Sequence, residues 1–194
     1  MTRIAIILGS TRIGRKSEAV GDWVLAAASQ RDDAEFEVVD LRDFDLPFFD
    51  EEISPAYQPS SDPRVLAWSE TIAGFDGFVF VTPEYNHSTS GVLKNAIDYL
   101  YSEWNNKAAA FVSYGSVGGA RAVEHLRLIA SELQLATVRA QVAISLMTEF
   151  ENYSVFKPND YLLPQVDTML DQLVRWTKAL EPLRAESAED DAAA

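Results

Sequence analysis

Gly9, Ser10, Thr11, Arg12, Gly14, Arg15, Lys16 and Ser17 crowd into one short span, and together they suit a phosphate. Glycines let backbone N–H groups come close to an anion, the hydroxyls of Ser10, Thr11 and Ser17 can donate, and Arg12 offers a bidentate fork. A helix starting at Ser17 would aim its positive end at the same point. A second group, Pro83-Glu84-Tyr85-Asn86-His87-Ser88, joins residues that favour tight bends to Tyr85, a flat ring able to stack on another flat ring. A third, Ser113-Tyr114-Gly115-Ser116-Val117-Gly118-Gly119, has Gly115 where a ligand could approach the backbone closely. None of the three is a metal or thiol site: the chain has no cysteine, and its two histidines, His87 and His125, are isolated in sequence.

These groups need elements that bring them together. Each follows a short unbroken apolar run, at residues 3–8, 77–82 and 108–113, as expected of strands covered on both faces. Each precedes apolar residues at helical spacing: Ala19, Val20, Trp23, Val24 and Ala27; then Gly91, Leu93, Ala96, Ile97 and Leu100; then residues 119–134. Further strands are expected at 36–40 and 137–145, a helix opening at Pro63, and a final helix marked by Leu162, Val166, Met169, Leu170, Leu173 and Leu180. The alternation predicts an α/β fold: a five-stranded, doubly wound parallel sheet of order 2-1-3-4-5 between two helical layers. In such a sheet the three loops all emerge at the carboxyl edge and converge on one ligand.

At 194 residues the chain suits one domain, expected over residues 1–184, with 185–194 as a frayed acidic tail. A formal charge of −14 argues against a nucleic-acid partner, because a phosphate could then bind only in a local basic pocket. No segment approaches the ~20 apolar residues that span a bilayer, and residues 4–8 are too short for a signal-peptide core, so no membrane and a cytoplasmic location are expected. Residues 41–62 form a long irregular stretch carrying Phe44, Phe48, Phe49 and Tyr57. With Tyr99, Tyr101 and Trp104 they are expected to expose more apolar surface than a monomer of this size tolerates.

Taken together, Gly9-Ser10-Thr11-Arg12 with Ser17, Pro83 to Ser88 followed by Leu93-Lys94-Asn95-Ala96-Ile97-Asp98, and Ser113 to Gly119 resemble the NADPH-dependent FMN reductase family of flavodoxin-like proteins. The resemblance implies FMN, with its phosphate on Ser10, Arg12 and Ser17. It places the isoalloxazine edge against Pro83, Glu84, Tyr85 and Asn86 and against Ser113, Tyr114 and Gly115. It further implies NADPH, with NADH as the other candidate, as hydride donor to FMN. A quinone, flavin, azo compound or similar small molecule is the acceptor the resemblance implies, and a homodimer or homotetramer is the expected assembly. Chemistry of this kind belongs to the cofactor, which accounts for a site of glycines, hydroxyls and a ring without an acid/base pair. One departure from the family pattern is Ser90, where proline is common before the helix.

Two rival functions are weaker. Gly9 to Ser17 nearly spells the phosphate loop of NTPases, but Arg15 displaces Lys16 and Ser17 by one position. An FMN-binding electron carrier resembling flavodoxin fits the acidity, but the first loop lacks the threonine-rich pattern of that group. Simpler roles are also open to several residues: Ser17 as a helix cap, Arg15 and Lys16 as solvated or facing a second nucleotide, Glu84 as an acceptor of local backbone bonds, and His125 as a surface residue.

Overall fold

The computed structural model describes residues 1–186; residues 187–194, where most of the expected acidic tail falls, lie outside the described residues. Strands β1 (Arg3–Leu8), β2 (Glu35–Asp40), β3 (Gly77–Pro83), β4 (Ala108–Gly115) and β5 (Ala136–Ser145) form one parallel sheet in the order β2-β1-β3-β4-β5, as the alternation of elements predicts. β1 lies between β2 and β3, its Ile7 paired with Val39 of β2 and with Phe80 of β3. Every residue of β3 and β4 is buried, which is why both read as unbroken apolar runs.

Side chains of a strand alternate between faces, so the sheet feeds two cores. Ile4, Ile6 and Leu8 pack with α1 (Ser17–Ala28) and α5 (Leu163–Ala179). Ala5 and Ile7 pack on the other side, under α2 (Pro63–Ala73), α3 (Gly91–Asp98) and α4 (Ala120–Glu132). The chain therefore winds to opposite faces on leaving β1 and β3, and a cleft opens between their carboxyl ends.

Two expectations need correction, and one element lies outside them. The helix whose apolar spacing runs on to Leu100 ends at Asp98, and a 3-10 turn at Ser102–Trp104 folds the chain back on the core. Trp104 is fully buried there, edge-on to Phe78 at 4.9 Å, with its indole N–H donating to the Ile97 carbonyl. Tyr99 is buried too, its hydroxyl donating to the Phe48 carbonyl at 3.0 Å. Neither adds exposed apolar surface. Phe44 likewise packs edge-on to Trp68, whereas Phe48 and Tyr57 are 92% and 87% exposed. Finally, a hairpin of β6 (Phe150–Glu151) and β7 (Val155–Phe156) follows the sheet, with Trp23 of α1 edge-on to Phe156.

Candidate functional site

The loop after β1 ends on α1, whose first residue, Ser17, is fully buried. Lys16, at the N-cap position of α1, supplies no side-chain cap, and among the described residues no group accepts from the first N–H groups of the helix. Among the described residues the buried Ser17 Oγ has no hydrogen-bond partner, and neither has the Tyr114 hydroxyl, which lies among Ser10 and Ser17 without a well-formed bond to either. Burial, reinforced by nearby Tyr85, pushes the Tyr114 phenol well above its ordinary range, so it stays a neutral donor. Ser10, also fully buried, shares a 2.9 Å hydrogen bond with the Tyr85 hydroxyl and thereby ties the first loop to the second.

The second loop is a tight hairpin turn in which the Tyr85 N–H donates to the Ser88 carbonyl and the Ser88 N–H to that of Tyr85. Its two central residues, Asn86 and His87, have φ of 49° and 74°, a left-handed region that favours glycine. Strain of that kind is common where a loop serves a ligand. Glu84 faces away from the turn: its carboxylate accepts the Arg121 backbone N–H at 3.1 Å and pairs with the Arg121 guanidinium. Burial opposes ionisation of Glu84, but those bonds outweigh it and hold the carboxyl below its usual range. The start of α4 is thus already occupied by an anion. The start of α3 is closed as well, because the Ser90 Oγ accepts the Leu93 N–H at 3.2 Å and donates to the Gly9 carbonyl at 2.5 Å. The departure at Ser90 is a cap.

The third loop turns sharply at Gly119, whose φ is +75° and where a Cβ would stand 2.6 Å from that of Ser113. Ser113 is buried beneath this turn and donates to the Gly118 carbonyl at 2.7 Å. Gly115 packs against Glu84, leaving only 3.1 Å between its position for a Cβ and the Glu84 Cβ.

A cleft of about 330 Å³ joins the three loops, lined by Arg12, Arg15 and Lys16, by Pro83, Glu84 and Tyr85, by Tyr114, Gly115 and Ser116, and by Tyr153 of the hairpin turn. Of the residues expected at the site, Arg12, Pro83, Glu84, Tyr85, Tyr114 and Gly115 line it, and Ser10 and Ser17 lie behind the first loop. Asn86 is exposed on the turn and Ser113 is buried under the third loop, so neither lines the cleft. His125, a surface residue as expected, bonds Ser88 through Nδ1 at 2.8 Å.

The basic residues divide in a way the sequence did not disclose. Arg12 is exposed and its guanidinium has no partner among the described residues. Arg15, expected either in solvent or facing a second nucleotide, is buried: it forms a two-pronged pair with Asp40, bonds Glu18 at 2.6 Å and donates to the Ser10 carbonyl at 2.8 Å. Burial works against the charge on Asp40, but Arg15 and the Arg42 N–H outweigh it and keep the carboxyl low. Lys16 reaches the hairpin, donating to the Ser154 carbonyl at 3.1 Å. Tyr153 and Arg42 were missed because their approach depends on elements far off in sequence.

A second cleft, of about 490 Å³, lies on the other side of the first loop between Leu41–Phe48 and α3. It is lined mostly by apolar groups, with Phe48 and Val92 at its rim.

The profile of the NADPH-dependent FMN reductase family matches residues 2–149. An NAD(P)H-dependent FMN reductase of Schizosaccharomyces pombe is 34% identical over 184 residues, covering 94% of this chain and 85% of that protein. A second, from a Nectria species, is 43% identical over 128 residues, 63% of this chain and just under two thirds, 64%, of that one. A quinone reductase of Pseudomonas putida is 30% identical over 184 residues, covering 90% of this chain and 94% of its own. Among solved structures, the flavoenzyme NAD(P)H:(acceptor) oxidoreductase FerB of Paracoccus denitrificans superposes with a TM-score of 0.73 over 92% of this chain and 98% of its own, at 21% identity, and shares the fold. No helix among the described residues is long and apolar enough to cross a membrane. With three quarters of its length matched in order, from the first strand through the fifth, this chain belongs to the NADPH-dependent FMN reductase family.

Proposed function

We propose that the cleft beside β1 and β3 holds FMN and that the chain is an FMN-dependent NAD(P)H oxidoreductase delivering electrons to a small acceptor such as a quinone, a flavin or an azo compound. One observation carries the placement of the phosphate. Of the three helices that follow the site loops, α3 is capped by Ser90 and α4 by Glu84, while α1 has no side-chain cap from Lys16 and stands beside two buried hydroxyls, on Ser17 and Tyr114, without partners among the described residues. Buried donors of that kind are costly unless a ligand completes them. Ser10, Ser17, the first N–H groups of α1 and the unpaired guanidinium of Arg12 would hold the phosphate, and Pro83, Glu84, Tyr85, Tyr114 and Gly115 would flank the ring system, with Asn86 and Ser113 shaping their loops.

When bound, FMN supplies the hydride-accepting ring, so the protein's part is to orient two flat ligands and exclude water. Tyr85 is suited to the first task, because its hydroxyl is fixed by Ser10 and its ring cannot swing freely. Tyr153 of the hairpin contributes a further wall to the same cleft.

The test is direct: purified protein is titrated with FMN, then NADPH is added without air and the flavin absorbance followed. Bleaching and steady NADPH oxidation with a quinone support the enzyme. FMN binding without turnover supports an electron carrier, and no binding at all refutes the placement.

Self-association belongs to the same proposal. Phe48 and Val92 are exposed at the second cleft and Tyr57 is exposed further along the 41–62 stretch, and a second copy of the chain, as a dimer or tetramer, would cover them. Light scattering at low micromolar concentration should then report at least twice the 21.5 kDa chain mass. A cytoplasmic location and a single FMN-binding unit over residues 1–184 complete this reading, to be tested by cell fractionation and limited proteolysis.

A further inference from the structure

We infer that Arg42 and Arg15 are positioning residues for the phosphate loop, holding its carbonyl oxygens, Arg15 from within the loop and Arg42 from the end of β2, and that Asp40 is the anchor that holds both arginines in place. The inference rests on the proposed FMN site.

Three successive carbonyls of the loop point at guanidinium groups. Arg15 donates to the Ser10 carbonyl at 2.8 Å. Arg42, just past the end of β2, donates to the Thr11 carbonyl at 3.3 Å and to the Arg12 carbonyl at 2.7 Å. The Arg12 carbonyl also accepts the Arg15 N–H at 3.1 Å, so the loop is held at both ends of the grip.

A trans peptide is planar, and its N–H points opposite to its C=O. Fixing the carbonyls of Ser10, Thr11 and Arg12 toward the arginines therefore turns the N–H groups of Thr11, Arg12 and Ile13 to the other side. That is the side of Ser10 Oγ, to which the Arg12 N–H lies at 3.4 Å. A row of N–H groups turned one way is an anion-binding concavity. Neither guanidinium needs to touch the ligand to produce it.

Asp40 ties the parts together. It takes both terminal nitrogens of Arg15 and accepts the Arg42 backbone N–H at 2.9 Å, while Glu18 bridges Arg15 and, at 3.5 Å, Arg42. The Arg15 side chain is only 1% exposed, so its geometry is set by this network rather than by solvent.

The sign of one substitution separates this grip from plain electrostatics. If Asp40 acted only through its charge, Asp40→Asn would remove a negative group near a bound phosphate and tighten FMN. The grip requires the reverse: FMN weakens about five- to tenfold, whereas riboflavin, which has no phosphate, changes less than about twofold. Arg42→Ala should act in the same direction by a comparable factor, and because the Arg42 side chain is 37% exposed the variant is expected to fold. Arg42→Lys keeps the charge but not the planar fork and should recover less than about half of the loss.

The measurement is a pair of titrations, FMN and riboflavin, on each variant, with thermal melting as a control for folding. Tighter or unchanged FMN binding in Asp40→Asn, or unchanged binding in Arg42→Ala, overturns the grip. If Asp40→Asn does not fold, Arg42→Ala decides alone. Arg12→Ala, run beside them, tests the site itself: when it too fails to separate FMN from riboflavin, the phosphate does not lie on this loop and both readings fall. When it separates them and the other variants do not, only the grip falls.

Discussion

At the amino edge of the sheet, cationic side chains close onto helix ends and finish them, while at the carboxyl edge several buried groups have no partner among the described residues. Lys107, just before β4, donates to the carbonyls of Ile72 and Ala73 at the end of α2, and Arg3 donates to Gly74 at 2.9 Å while lying 4.7 Å over the Phe75 ring. Burial is severe enough to bring the Lys107 ammonium down to about 8, yet the group is satisfied. Of the buried side-chain atoms without partners among the described residues, three of four, on Arg15, Ser17 and Tyr114, cluster by the loop after β1; the fourth is on Thr177. Under the proposed function, one edge serves stability and the other a ligand. The two can be separated by experiment.

Acid should produce the largest effect, and at the carboxyl edge. Asp40, Glu84 and Glu149 are all opposed by burial but held below the usual carboxylate range by their hydrogen bonds. A depressed folded-state pKa contributes stability that is complete above the unfolded value, about 4, and is lost as pH falls through the folded value. The melting temperature should therefore drop steeply below about pH 4. A flat profile would mean these carboxyls are not coupled to folding.

Next comes the amino edge. Lys107→Ala strips two helix carbonyls of their donor and leaves a void, which should lower stability by about 2–4 kcal/mol. FMN affinity, measured well below the new melting point, should stay within about twofold. A large loss of affinity would show that the two edges are not independent.

Arg12→Ala reverses the pattern. It should weaken FMN about ten- to a hundredfold, the ~1.5–3 kcal/mol of a charge-assisted contact, and leave the melting temperature of the flavin-free protein unchanged. Comparable losses for FMN and riboflavin would place Arg12 away from the phosphate.

The smallest effect has the most informative sign. Removing an unpartnered buried hydroxyl should raise the stability of flavin-free Ser17→Ala by up to about 1 kcal/mol while weakening FMN several-fold. A variant less stable without flavin would mean that Ser17 already has a structural partner.

Much of the framework is readable from local pattern. The apolar run from Gly77 to Val81 could only be a doubly covered strand, and three repeats of strand, polar loop and helix fix the edge at which Ser10, Tyr85 and Gly115 meet. What stayed hidden depends on pairs remote in sequence. Asp40 lies 25 residues from Arg15, and Glu84 lies 37 from Arg121, so neither ion pair leaves a local trace. Trp104 looked exposed because the 3-10 turn that buries it has no apolar period to announce it. The hairpin at 150–156 is too short for alternation to register, and is organised by buried Glu149, which collects the N–H groups of Asn159 and the Tyr161 hydroxyl.

Arg12, a cation with no partner among the described residues, lies at the proposed site of a strongly acidic protein, and this has a kinetic consequence. With a net charge of −14, the protein as a whole repels a dianion or a dinucleotide arriving from solution, and Arg12 can attract one only within about a Debye length, ~8 Å at physiological ionic strength. Moderate salt screens the long-range repulsion before it reaches the partly buried contact. Capture of the phosphorylated ligand should accordingly speed up as salt is first added and slow only later, a biphasic dependence that a cationic cleft on a neutral protein would not show.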